Sequence, residues 1–192
     1  MKKILCTLGP SSANPRTIER LEQAGATLFR VNLSHTSLDD LAATVSGIQA
    51  ATDIPICLDT EGAQVRTGRI AGGSITLRDN AVVRADRELV PGDIKSFNFY
   101  RPTIVSQLVV GDFISIDFNS VLVQVVETDT KGVLMRVLNG GMIGQNKAVT
   151  VQRSLDLAPL TDKDVASIDV GLELGLSHFA LSFANHPNAV DL

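Results

Sequence analysis

Thr27-Leu28-Phe29-Arg30-Val31-Asn32-Leu33-Ser34-His35 is the stretch on which the fold turns. Side chains along a strand alternate sides. Phe29, Val31 and Leu33 therefore share one face, and Arg30, Asn32 and Ser34 share the other. The apolar face suits packing under helices. The polar face suits a barrel interior or its mouth, where a purely structural core would be apolar. Taken alone, the stretch also fits a solvent-facing edge strand. A strand early in a β-α-β-α-β unit is usually covered on both faces, which gives the first reading weight.

The flanking sequence supplies such a unit. Ile4 to Leu8 is a short apolar run stopped by Gly9-Pro10. Asn14-Pro15 has the form of an N-cap followed by proline at the first helical position. Ile18, Leu21 and Ala24 then share a helical face, and Gly25 is a suitable stop. Ser37 caps a second helix whose Leu38, Leu41, Ala42, Val45 and Ile48 form an apolar stripe. Ile54 to Asp59 is a third strand. Short links between these elements argue for parallel strands covered by helices.

The pattern changes after Gly68. From there to about Val151 no helical period is found. Short β-like runs recur at 74–77, 81–85, 104–110, 113–117, 121–128, 132–138 and 148–151, separated by turn signals such as Gly72-Gly73 and Gly140-Gly141. The expectation is a compact antiparallel barrel or sandwich inserted into the α/β unit. Helical chemistry returns at Thr161-Asp162-Lys163-Asp164, a capping-box start, with Val165, Ile168 and Leu172 on one face and Gly175 at the end. His178 to Ser182 reads as a fourth strand, and Leu192 falls just inside a further helix. The expected division is 1–67 and 153–192 in the α/β part and 68–152 in the β-rich part.

Composition limits the function. The 192 residues are 44% apolar and 20% charged, which is ordinary for a globular chain. A net charge of −4 without a Lys/Arg cluster argues against a nucleic-acid partner, so an anionic substrate needs a local basic site. No run approaches the ~18 apolar residues of a membrane span, and the first apolar run is too short for a signal-peptide core. Cys6 and Cys57 sit in apolar strand-like runs and read as small buried hydrophobes of a cytoplasmic protein, not as a disulfide or metal pair.

Asp59-Thr60 closes the third strand. A carboxylate, an amide oxygen and a hydroxyl converging at strand ends suit a hard cation. Arg30 beside them suits a phosphate or carboxylate, which its fork binds in bidentate fashion. Arg66, Thr67 and Gly68 follow at the entry to the β-rich part. The residues alone thus point to a phosphorylated substrate and a cation at the carboxyl ends of parallel strands.

A run of motifs resembles the pyruvate kinase family. Lys3-Ile4-Leu5-Cys6-Thr7-Leu8-Gly9-Pro10-Ser11-Ser12 is similar to its opening strand. Phe29 to His35 resembles its Arg-x-Asn-x-Ser-His motif, and Leu58 to Gly68 its Asp-Thr-x-Gly-x-x-x-Arg-Thr-Gly motif. Gly111-Asp112 with Ile114 to Asp117, Asn139-Gly140-Gly141, Lys147, Leu160 to Asp164 and Leu181-Ser182-Phe183 continue in the family's order.

The resemblance implies an α/β fold: a partial TIM (β/α)8 barrel of about four strands with an inserted all-β barrel domain. It implies transfer of phosphate from phosphoenolpyruvate to ADP in glycolysis, in a cytoplasmic homo-oligomer, a homotetramer in the family. Arg30 would bind the substrate phosphate. Asn32, Ser34, Asp59 and Thr60 would hold potassium. Asn32, Leu33, Ser34, His35, Arg66 and Lys147 would touch the nucleotide, ADP or ATP. The family's catalytic lysine and magnesium ligands belong to strands beyond residue 192, so no catalytic residue is expected within the chain and the 192 residues alone are expected to be inactive.

The chain also departs from the family. Glu61, Ala63 and Gln64 stand where lysine, proline and glutamate are usual. Glutamate at the position of Gln64 accompanies potassium dependence in the family, and lysine accompanies independence. Asp117-Phe118-Asn119 replaces Asp-Asp-Gly, and Ser182-Phe183-Ala184-Asn185 replaces Ser-Phe-x-Arg. The alternative function is a short non-catalytic relative that keeps a phosphometabolite or cation site, or that serves as an interaction module.

Overall fold

The computed structural model describes residues 2–184 and residue 187. Asn185 and the helix expected near Leu192 lie outside the described residues. The chain forms two compact units, Met1–Ala63 with Ala158–Leu192, and Gln64–Leu157. Among the described residues no helix is long and apolar enough to cross a membrane.

The first unit contains β1 (Leu5–Leu8), α1 (Pro15–Gln23), β2 (Leu28–Asn32), α2 (Leu38–Gln49) and β3 (Ile56–Asp59). Its four strands lie in the order β1-β2-β3-β13, all parallel, with β13 at His178–Ala180. Leu8, Val31, Leu58 and Phe179 lie in one cross-strand row, and Phe29 and Ile56 lie on the same face one row back. This face packs with Ile18, Leu41, Val45 and Ile48 of the helices into one core. Asn14 caps α1 by accepting from the Thr17 amide at 3.0 Å, and Gly25 follows with φ +97°. Ser37 caps α2 through the Asp40 amide at 3.1 Å. Of the expected α2 stripe, Leu41, Val45 and Ile48 are buried, whereas Leu38 and Ala42 are exposed.

The last helix, α3 (Asp162–Glu173), begins with the expected capping box of Thr161 and Asp164. Its orientation corrects the sequence reading. Val165 and Leu172 are exposed, and the buried positions are Asp164, Ser167 and Gly171. The reason is close approach to the sheet: a Cβ on Gly171 would lie 2.8 Å from Leu58 Cδ1 and 3.1 Å from Phe179 Cε1. Small residues face the sheet here, so the larger apolar ones are left outside.

The second unit contains β4 (Val65–Thr67), β5 (Ser74–Leu77), β6 (Val82–Asp86), β7 (Ser96–Tyr100), a 3-10 helix (Pro102–Gln107), β8 (Phe113–Ile116), β9 (Val121–Thr128), β10 (Gly132–Asn139), β11 (Gly141–Gly144) and β12 (Ala148–Val151). Seven strands close into a barrel in the order β10-β6-β7-β4-β12-β8-β9, and β11 pairs with β5 separately. Closure removes exposed sheet edges. The unit begins before Gly68 because β4 pairs with both β7 and β12. It runs past Val151 because Arg153 grips Asp112 through two contacts of 2.8 and 2.9 Å and also donates to the Gln107 carbonyl. The Arg153 guanidinium holds the Asp112 carboxyl below its ordinary range.

Three features differ from the sequence reading. The 104–110 run is not a strand: Ile104 and Val105 are buried from the 3-10 helix. Strand β7 lacks alternation because Phe97, Asn98 and Phe99 are all buried, Asn98 by donating to the Val90 carbonyl. The β6–β7 pair is parallel within an otherwise antiparallel barrel.

Gly171→Val should lower stability by about 1–3 kcal/mol through overpacking against Leu58 and Phe179. Urea unfolding measures this, and an unchanged midpoint would refute the tight approach of α3.

Candidate functional site

The face of the parallel sheet opposite the helices carries a continuous polar chain. It starts at Thr7 on β1, whose Oγ1 accepts from Arg30 Nη1 at 2.9 Å. Arg30 on β2 also bonds through Nη2 to Asp59 Oδ2 on β3. Ser182 Oγ, just past β13, donates to Asp59 Oδ1 at 2.8 Å. The Ser182 amide donates to Thr60 Oγ1 at 3.1 Å. Parallel register explains the assembly: Thr7, Arg30 and Cys57 share one row, and Asn32 and Asp59 share the row two residues on. The Arg30 side chain keeps 27% of its surface, whereas Asp59 keeps 8%, so Arg30 is the partner of the ion pair that reaches solvent.

A tight turn follows β2, and an irregular segment follows β3. Asn32 Oδ1 accepts from the Ser34 amide at 2.9 Å, and its carbonyl accepts from the His35 amide at 3.0 Å and from Thr36 Oγ1 at 3.1 Å. Leu33 points into the core with no exposed surface, so only its backbone is open to contact. Its amide donates to the Asp59 carbonyl at 3.0 Å. His35 is exposed and lines a cleft of about 480 Å³ together with Asn32, Thr7, Pro10 and Asp40. Asn32, Ser34, Asp59 and Thr60 present oxygens at or just past the carboxyl ends of β2 and β3, a donor type that suits a hard cation, and both Asp59 carboxylate oxygens already accept, from Arg30 and from Ser182.

Arg66 and Lys147 belong to the other unit, Arg66 on β4 and Lys147 just before the neighbouring strand β12. Arg66 pairs with Ala148 in register, and its Nη1 donates to the Asn146 carbonyl at 3.1 Å. Lys147 Nζ lies 3.4 Å from Asp117 Oδ2. The structure thus brings Arg30, Asn32, Ser34, Asp59 and Thr60 together in one unit and Arg66 and Lys147 together in the other.

The family model described as "Pyruvate kinase, barrel domain" matches residues 1–192. The chain belongs to the pyruvate kinase family. It is 32% identical over 194 residues to the pyruvate kinase of Methylorubrum extorquens, covering 98% of this chain and 41% of that protein. It is 30% identical over 196 residues to that of Bacillus licheniformis, covering 98% and 34%, and 34% identical over 188 residues to that of Agrobacterium vitis, covering 94% and 40%. The chain therefore spans well under two thirds of the length of these pyruvate kinases.

Five contributors are not legible as such in the sequence. Thr7 and Ser182 lie within quoted motifs but were not given roles. Glu61 and Lys163 form an ion pair of 2.9 Å across 102 positions, so no local period links them. Asp164 is fully buried and accepts from the amides of Glu61 at 2.7 Å, Gly62 at 3.2 Å and Thr161 at 2.9 Å. The signal for the pair was the acidic Glu61 where the pyruvate kinase family usually carries lysine. Gly62 is required by its φ of +64°, and a Cβ there would lie 1.8 Å from the Ser182 carbonyl oxygen.

Cys57, in the row beside Arg30, reports on the site's electrostatics. Its thiol is pushed up from the ordinary range by burial first, then by the Asp59 carboxylate, with Arg30 opposing. Neutralising Asp59 in Asp59→Asn should lower the pH midpoint of Cys57 alkylation, and Arg30→Gln should raise it. Alkylation rates followed against pH in a Cys6→Ser background test this. Identical midpoints in all three proteins would refute the placement of Cys57 within the field of the pair.

Proposed function

We propose that this chain is the substrate-binding portion of a pyruvate kinase, which transfers a phosphoryl group from phosphoenolpyruvate to ADP. The observation that carries the reading is Arg30: a partly exposed guanidinium, fixed by Thr7 and Asp59 at the carboxyl ends of parallel strands. On this reading the four-stranded sheet is the first half of a (β/α)8 barrel, whose ligand sites lie at the carboxyl ends of its strands.

Arg30 would bind the phosphate of phosphoenolpyruvate in a charge-assisted contact already oriented before substrate arrives. Asn32, Ser34, Asp59 and the Thr60 carbonyl would hold potassium, which adds positive charge near the transferring group. Their oxygens suit it, although Gln64 lacks the charge of the glutamate usual in potassium-dependent relatives. Asn32 to His35 would contact ADP or ATP from the cleft beside α2, and Arg66 and Lys147 are the nucleotide-binding candidates of the barrel unit. Magnesium ligands and the catalytic lysine would come from strands other than these. A cytoplasmic homo-oligomer follows from the same reading.

A second reading is favoured by the completeness of the Thr7–Arg30–Asp59–Ser182 chain within the described residues. A non-catalytic module that binds a phosphometabolite or cation needs nothing more than such a site.

Phosphoryl transfer depends on positioning and on neutralising charge at the transferring group. These 192 residues supply Arg30, Arg66 and Lys147 but no run like the family's later catalytic strand. In a coupled pyruvate-release assay with magnesium and potassium, the chain alone should turn over at less than roughly 10⁻³ of the rate of the full-length Methylorubrum enzyme. Comparable turnover would overturn the assignment of the catalytic groups to other strands.

A further inference from the structure

We propose that Lys163 and Glu61 are positioning residues that set the distance between the two segments that follow β2 and β3. The inference deepens the proposed function, since it rests on the reading of those segments as part of a ligand site. Lys163 Nζ donates to the Leu33 carbonyl at 2.5 Å and to Glu61 Oε1 at 2.9 Å. Leu33 lies between Asn32 and Ser34, and Glu61 directly follows Thr60. One ammonium therefore joins the turn after β2 to the segment after β3. Ser34 and Thr60 of the candidate cation set lie in those two segments, and Asn32 and Asp59 are the last residues of the strands before them. Arg30 lies two residues before Asn32 on β2.

Two further observations favour positioning over simple cohesion. First, Asp164, the next residue, accepts from the Glu61 and Gly62 amides, so the start of α3 fixes both the backbone of the segment after β3 and the Glu61 side chain. Second, Glu61 is buried, and its Oε2 has no hydrogen-bond partner among the described residues. A buried carboxylate with an unsatisfied oxygen is an expensive way to gain stability, because the desolvation of an ion pair offsets much of its attraction. Replacing a buried ion pair by apolar residues of similar volume is often neutral or stabilising. The geometry that only the ion pair supplies is the link to the Leu33 carbonyl.

The test uses the 192-residue chain, Lys163→Met, and the double variant Glu61→Met with Lys163→Met. Lys163→Met leaves a buried charge uncompensated, and its melting temperature should fall. The double variant removes both charges, and its melting temperature should return towards the parent value. If the pair positions the site, amide exchange at Ser34 and Glu61 should be about tenfold faster in both variants, with the strand amides of Phe29 and Leu58 unchanged. The dissociation constant for phosphoenolpyruvate, measured by calorimetry, should rise about tenfold in both. Recovery of exchange and affinity along with melting temperature in the double variant would show a purely structural role and overturn the proposal. So would unchanged exchange in Lys163→Met. A parent chain that binds no phosphoenolpyruvate, yet shows the exchange pattern, would sink the proposed function and leave the positioning role supported.

Discussion

Arg30 sits in the middle of a parallel sheet with one hand on Thr7 and the other on Asp59, and Asp59 is held in turn by Ser182. A charge placed on a sheet face is costly unless it is paired and hydrogen-bonded. Here the partners come from the strands on either side and from just past the fourth. The chain of contacts thus crosses the whole sheet, and each strand must keep its register for the charge to be satisfied. A slip of one residue in β2 would turn Arg30 into the helix-packed core and Phe29 out of it. The polar site and the apolar core are therefore two faces of one constraint, fixed by the alternation of residues 29–34.

The barrel unit obeys a different constraint. Its core is a closed set of apolar residues, among them Phe97 and Phe99 in edge-to-face contact at 5.5 Å. The segment after β12 is tied back by Arg153 to Asp112, and Leu155 and Leu157 pack on the core. Both ends of the unit are thus built into its own packing. Arg66 is on β4 and Lys147 immediately precedes β12, so their placement within that body follows from the β4–β12 pairing and from the Thr67 amide that donates to the Lys147 carbonyl at 2.8 Å.

Much of this was legible in the sequence because short-range rules governed it. The caps at Asn14, Ser37 and Thr161 follow from local hydrogen-bond chemistry, and the alternation of β2 follows from pleating. The motifs from Arg30 to Gly68 pointed to the site because their residue types fit the chemistry. What escaped was decided at long range. The face of α3 was misread because Ser167 and Gly171 are small for a reason visible only where the helix meets Leu58 and Phe179. Strand β7 was not assigned although Phe97 and Phe99 alternate with Ser96 and Asn98, and that Asn98 is buried as well is decided by the fold. The Lys163–Glu61 link joins residues whose partnership only the fold creates.

The central claim is that the Arg30 guanidinium is a prepared anion site and not merely a strut of the sheet. Titration of the 192-residue chain and its Arg30→Gln variant with phosphoenolpyruvate, followed by phosphorus NMR, tests it most directly. The account predicts a saturable shift of the phosphate resonance with the parent chain and its loss with Arg30→Gln, while the amide spectrum of the variant keeps the dispersion of the parent. An equal shift with both proteins, or none with the parent, would contradict it.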